Sequence, residues 1–179
     1  MRRNNGGFTL IELIVVIVIL GILAVTAAPK FIDLQSDARL ATLNGMKAAI
    51  NSAVSLTYGK SLVLGKEKAD EGSITINGSP VTVCYGYPCA AATEIQKVLD
   101  IGVFEACSGN STSGNSTSAR DWCYTGGGDS ESSIKIFVAN GYSESSKCFL
   151  KYEQAKKSGT GTDAKIEPPV VKLADDVEC

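Results

Sequence analysis

Histidine is absent from this chain of 179 residues, which removes the commonest metal ligand and the commonest general base together. Without it there is no Ser/His/Asp set and no Cys/His pair. The glycine-rich stretch "TGGGD" (125–129) lacks the strand-to-helix context of a phosphate-binding loop and reads as a flexible turn. The cysteines include no C-x-x-C pair, so the usual spacing of a zinc site is missing. Beyond Arg2–Arg3 there is no basic cluster, and no nucleic-acid partner is expected. Asp175, Asp176 and Glu178 read as a solvated acidic tail rather than a calcium site. The chain is therefore not expected to be an enzyme, to hold a metal or to need a cofactor.

What is present is unevenly distributed. A large share of the apolar residues falls in the first third, and the remainder is rich in Gly, Ser and Thr, with material for only a modest core. All six cysteines, Cys84, Cys89, Cys107, Cys123, Cys148 and Cys179, follow the apolar run. An even number confined to one part of a chain implies three disulfides made in an oxidising compartment. Six cysteines allow 15 connectivities. Pairing in sequence order, 84–89, 107–123 and 148–179, closes loops locally and is the expected arrangement.

The amino terminus places Arg2, Arg3, Asn4, Asn5, Gly6 and Gly7 ahead of an apolar run that starts at Phe8. From Phe8 to Ala28 the run is about 31 Å long as a helix, enough to cross a bilayer. The two arginines hold the start on the cytoplasmic side and send the cysteine-bearing part across, in agreement with the disulfides. An A-x-A pattern at Ala24–Ala28 would suit signal cleavage. The run is long, however, and feeds into an amphipathic helix with only Pro29 between, so a retained anchor is the better reading. One carboxylate, Glu12, sits inside this run. Such a group costs about 2.5–3.5 kcal/mol near a bilayer centre and less near the edge. No Lys or Arg lies between Glu12 and Lys30, so a cationic partner must be a chain terminus or another molecule.

The stretch "GG-FTLIELIVVIVILGILAVTAAP" resembles the prepilin signature of type IV pilins and related pseudopilins: a short basic leader ending in Gly, then Phe, then Glu four residues later. The resemblance covers residues 1 to about 57, and the short leader with Phe8 looks like the type IVa branch. "PKFIDLQSDARLATLNGMKAAINSAVSLTY" (29–58) is similar to the mannose-sensitive haemagglutinin (MSHA) pilins of vibrios. The resemblance implies that a prepilin peptidase cuts between Gly7 and Phe8 and that the new Phe8 amine is methylated. It further implies that Glu12 attracts the Phe8 amine of a neighbouring subunit during assembly, in a low-dielectric core where opposite charges attract strongly. The segment between Gly21 and Pro29 is implied to lose helicity in assembled filaments. A second helix-breaking proline of some relatives is missing, with Ala48–Ala49 in its place. One smooth curve is expected past residue 30, with a kink or local unwinding near Pro29.

On a helical wheel, Phe31, Leu34, Ala38, Ala49, Ala53 and Leu56 cluster on one side, and Ile32, Leu43, Ile50 and Val54 form a second stripe. Asp33, Asp37, Asn44, Asn51 and Ser55 leave only a narrow polar strip. Two apolar stripes predict burial on two sides, one against the chain's own globular part and one against neighbours. Met46 reads as packing. Tyr58 to Gly72 is polar and expected to be a loop. "SITINGSPVTVCY" (73–85) predicts a hairpin around Asn77–Gly78. "AATEIQKVLDIG" (91–102) predicts a short helix with a Thr93 cap and a Gly102 stop. "SGNSTSGNST" (108–117) reads as an exposed loop carrying two glycosylation sequons, at Asn110 and Asn115. "SSIKIFVAN" (132–140) and "KCFLKYEQ" (147–154) are strand candidates, and Pro168–Pro169 should stay out of a central strand.

The expected fold is α+β: a long N-terminal helix, half membrane and assembly segment and half amphipathic, packed on a small, disulfide-stapled antiparallel sheet. The segments are a leader (1–7), an apolar helix (8–29), its amphipathic continuation (30–57) and a globular head (58–179). The resemblance implies a structural major pilin that polymerises with copies of itself, with no catalytic residues. Its partners would be the prepilin peptidase, the inner-membrane assembly machinery, and host or environmental surfaces. The chain would reside in the inner membrane before assembly and in an extracellular pilus afterwards. A minor pilin, a type II secretion pseudopilin or a single-span periplasmic binding domain remain alternatives at this point.

Overall fold

The computed structural model describes residues 8–99, 105–107, 122–126, 132–138, 147–159, 164–175, 177 and 179. Gly7, Gly102, the tandem at 108–117 with Asn110 and Asn115, Asp176 and Glu178 lie outside them. The chain divides into two compact units, Met1–Ala38 and Arg39–Cys179, and helix α1 (Leu10–Val63) contributes to both.

Residues 58 to 63, expected in a connecting loop, are the last turns of α1. The polar side chains of this stretch find partners on the helix itself. Thr57 and Ser61 are buried and return their hydroxyls to the carbonyls of Ala53 (2.7 Å) and Thr57 (3.0 Å). The helix ends at Val63, and two residues on Gly65 takes φ 64°. Its N–H donates to Leu62 O at 3.2 Å, and the next N–H, of Lys66, donates to Ser61 O at 2.9 Å. This is a Schellman cap, a conformation that glycine adopts without a steric penalty.

In the second unit, α1 buries Leu43, Met46, Ile50, Ala53 and Val54. Against that face lies a five-stranded sheet of order β10-β7-β6-β5-β4, made of β4 (Glu105–Ala106), β5 (Trp122–Gly126), β6 (Ser133–Val138), β7 (Phe149–Glu153) and β10 (Val170–Leu173). Alternation directs Ile134, Ile136, Leu150 and Tyr152 inward, where they join Leu43, Ile50 and Val54 in one cluster. All pairs in this sheet are antiparallel except β4–β5, which is parallel. Pro168 and Pro169 fall between β9 (Lys165–Glu167) and the edge strand β10, clear of any central strand. Lys156–Ser158 (β8) pairs only with β9.

A smaller sheet joins β1 (Gly72–Ile76), β2 (Ser79–Cys84) and β3 (Tyr87–Pro88). Its first turn is Asn77–Gly78, with φ 50° and 79° and the flanking register Ile76↔Ser79. These are the values of the two-residue turn that Asn-Gly favours. Helix α2 (Ala92–Leu99) starts two residues earlier than a Thr93 cap implies. Its cap is Ala91, whose carbonyl accepts the N–H groups of Glu94 and Ile95, both at 3.1 Å, whereas Thr93 sits inside the first turn.

The buried Glu94 explains why this helix is held where it is. Its Oε2 accepts the Thr82 N–H of β2 at 2.6 Å, and Lys97 Nζ lies 2.9 Å from Oε1. β3 is only two residues long; past Pro88 the Cys89 N–H still donates to Thr82 O at 3.2 Å, but the Thr82 N–H is left to a side chain. Replacing Glu94 with Ala leaves a buried N–H without a partner, and a loss of about 1–3 kcal/mol is expected. Urea unfolding of the full chain in detergent measures it, with a lowered midpoint as the expected result.

The disulfides connect Cys84–Cys89, Cys107–Cys123 and Cys148–Cys179, and no described cysteine is free. They join the cysteines in sequence order. The last ties the terminal residue to the buried start of β7.

Candidate functional site

The residues that give the apolar run its character are all turned outward. Leu10–Ala27 is long and apolar enough to cross a membrane and is unburied throughout. Phe8 is 85% exposed and Val25 is 77% exposed. An α-helix satisfies its own backbone, so such a segment can sit in lipid or among other helices. Its one hydroxyl near the far end, Thr26, donates back to Leu23 O at 3.0 Å and is satisfied in the same way.

At the other end, Glu12 has a partner that is not a cation. Thr9 precedes the first helical residue, and Glu12 is the third residue of the helix. The Thr9 N–H donates to Glu12 Oε2 at 2.9 Å, and the Thr9 hydroxyl donates to the same oxygen at 2.7 Å. In return the Glu12 N–H donates to Thr9 Oγ1 at 3.4 Å. This reciprocal pattern is a capping box. The carboxylate closes the donor-rich end of the helix, where negative charge is also favoured by the dipole. The signal was in the sequence as Thr-x-x-Glu ahead of an apolar run. Phe8 is the residue next to this box, so the structure brings Phe8, Thr9 and Glu12 together at one helix end.

Gly21 and Pro29 are both inside α1, whose helical span runs through them without a break. The local unwinding expected near Pro29 is absent from this single chain. A Cβ added at Gly21 would meet nothing within 4 Å, so no contact of the described residues calls for glycine there.

The two stripes on the second half of the helix have different fates. Leu43, Ile50 and Val54 are in the core, joined by Met46. Ala53, placed with the other stripe, is buried too. Leu34 at 61% and Leu56 at 76% exposure stay outside, and Ala49 is exposed with them. The chain's own domain therefore covers Leu43, Ile50 and Val54 of one stripe and leaves Ala49 and Leu56 of the other uncovered. Among the described residues, no three His, Cys, Asp or Glu side chains come together as a metal site.

Residues 2–28 match the family model "Prokaryotic N-terminal methylation motif". The chain is similar to the type IV narrow pilus major component PilA5 of Thermus thermophilus, 50% identical over 50 residues, which are 28% of this chain and 43% of that protein. It is similar to the type IV major pilin protein PilA of Myxococcus xanthus, 34% identical over 104 residues, which are 56% of this chain and 45% of that protein. It is also 42% identical over 55 residues to type II secretion system core protein G of Pseudomonas aeruginosa, covering 31% of this chain and 39% of that protein. The chain thus spans less than half the length of these relatives. No solved structure matches it. These relatives are structural subunits rather than enzymes. The methylation motif and the long apolar helix, followed by disulfide-bonded sheets, are the features in which this chain is similar to type IV pilins and pseudopilins.

Proposed function

We propose that this chain is the major structural subunit of a type IV pilus, polymerising through α1 into an extracellular filament. The observation that carries the reading is the helix itself: an apolar half exposed on every side, then a half with one stripe buried and Leu34, Ala49 and Leu56 left exposed. Large apolar surface of this kind marks a site that another surface covers. Before assembly the first half would lie in the inner membrane. After assembly both would be enclosed by the helices of neighbouring copies, with residues 58–179 forming the filament's outer surface.

In this reading the prepilin peptidase cuts between Gly7 and Phe8 and Phe8 is methylated. Removal of the leader takes away Arg2 and Arg3, leaving the mature chain more acidic. Glu12 then meets the released Phe8 amine of an adjacent subunit, which selects one stagger between subunits. Gly21 and Pro29 bound the stretch that unwinds when the filament forms or extends. Attachment to host or environmental surfaces, and haemagglutination, rest on the likeness of residues 29–58 to MSHA pilins. Mass spectrometry of the protein sheared from cells tests the processing. The expected species begins at N-methylated Phe8, and a chain that keeps its leader, or an unmodified Phe8, overturns it. The match to a secretion-system core protein keeps a pseudopilin role as the second reading. An absence of shearable filaments from cells expressing the chain at its native level would favour that role.

A further inference from the structure

We propose that the Cys84–Cys89 disulfide is a reductant-sensitive latch that holds residues 64–71 against the β2–β3 turn while the main core stands without it. The turn between β2 and β3 is Tyr85–Gly86, and both residues have positive φ, 52° and 83°. For a bulky aromatic residue this conformation is strained and persists only when its surroundings enforce it. Few backbone bonds do so. The β2–β3 register has two pairs, Val83↔Pro88 and Cys84↔Tyr87, and Pro88 brings no N–H. The disulfide closes the hairpin directly beside these pairs.

What the strained turn achieves is docking. The Tyr85 N–H donates to Ala69 O at 2.9 Å, and the Asp70 carboxylate near its phenol raises the pKa of that group. Gly86 sits so close to the segment that an added Cβ would lie 2.9 Å from Glu67 Cα. Tyr87 stacks on Tyr58 of α1, with ring centroids 4.3 Å apart. Every one of these contacts involves a residue between Cys84 and Cys89. The inner ends of the hairpin are secured separately, since Tyr152 donates to Pro88 O and Gln154 Oε1 accepts the Ala90 N–H at 2.9 Å. Opening the bridge therefore frees the turn and the segment it holds, and leaves β6 and β7 packed.

Access singles out this bridge. Cys84 and Cys89 are both half-buried, whereas each of the other pairs includes a fully buried cysteine, Cys123 or Cys148. Thiol–disulfide exchange needs a thiolate to reach a sulfur, so the bridge in which neither cysteine is fully buried is the one a dithiol attacks first. The Sγ–Sγ bond takes two electrons and two protons and becomes two thiols, while the dithiol is oxidised to its own disulfide.

The test titrates the full chain in detergent with dithiothreitol, quenches by alkylation and maps the labelled cysteines by mass. Hydrogen exchange is followed on the same samples. Cys84 and Cys89 should be labelled before the other four. At that stage the Tyr85 and Cys89 amides should exchange about tenfold faster or more, with β6 and β7 unchanged. Labelling of another pair first overturns the proposal. So does unchanged protection of the Tyr85 amide once Cys84 and Cys89 are labelled, or loss of β6 and β7 protection at the same step. The chain with Cys84→Ser and Cys89→Ser should show the fast exchange without reductant.

Discussion

Cells carrying Glu12→Ala should hold the chain in the membrane and yield almost no filament on shearing. Removing the carboxylate makes insertion easier, since an ionised side chain in a membrane helix is a cost and alanine is not. Assembly is affected in the opposite sense. Taking one partner from a buried ion pair costs about 3–5 kcal/mol, because the other charge stays enclosed and uncompensated. At 1.4 kcal/mol per factor of ten, even the lower end reduces each subunit addition by about a hundredfold. The substitution also removes the capping box with Thr9, so alanine alone confounds two effects. Glu12→Gln separates them: the amide oxygen can still accept the Thr9 N–H, but it carries no charge. The expected result is that Gln fails to assemble nearly as completely as Ala. Native filament yield from Glu12→Gln would sink the pairing with the Phe8 amine and leave Glu12 a helix cap only.

The second large effect lies in the head. Tyr152 is fully buried on β7 of the five-stranded sheet, among Ile134, Leu150, Ile50 and the helix α1 core. Its phenol donates to Pro88 O, linking the large sheet to the small one. Tyr152→Ala empties that volume and is expected to cost about 3–5 kcal/mol. Tyr152→Phe keeps the ring and leaves the Pro88 carbonyl short of a donor, at about 1–3 kcal/mol. Chemical unfolding of both variants in detergent should rank them in that order, and equal losses would mean that the hydrogen bond outweighs the ring. Burial pushes the Tyr152 phenol far above its ordinary value, with Tyr87 adding to the shift. A raised folded value means that the protonated form is the stabilised one. Its contribution is complete below about pH 10 and is lost as the pH rises beyond it. Glu153, beside Lys151 (2.6 Å) and Lys172 (3.9 Å), is shifted down, chiefly by its bond to Lys151. Its stabilisation is present above the ordinary carboxylate range and fades in acid. That effect is small, because the pair is largely solvated.

The features legible in the sequence were those written in consecutive residues. Asn77–Gly78 between two β-rich runs specifies its own turn, and the alternation in 133–138 and 149–153 marks the buried side of each strand. The apolar run with Phe8 and Glu12 carried the pilin likeness. Elements fixed by a distant partner were not visible. The last turns of α1 read as loop because the segment after Leu56 is polar, yet Tyr58 finds a ring to stack on 29 residues away at Tyr87. Nothing in the short helix at 92–99 marks Glu94 as buried, because only the early end of β3 gives it an N–H to bond. The Thr9–Glu12 pair is hidden for another reason: no opposite charge marks it, because a helix start offers a carboxylate its own unpaired N–H groups.

The order of the disulfides has a topological consequence. Because 84–89, 107–123 and 148–179 neither nest nor overlap, the covalent chain is three rings strung along an open thread. A protease that cuts once inside a ring leaves the molecule in one piece until it is reduced. A single cut in the thread, as between residues 124 and 147, divides it covalently at once. On a filament surface the large terminal ring would thus tolerate a nick, with β7 and β10 still joined through the bridge that ends the chain.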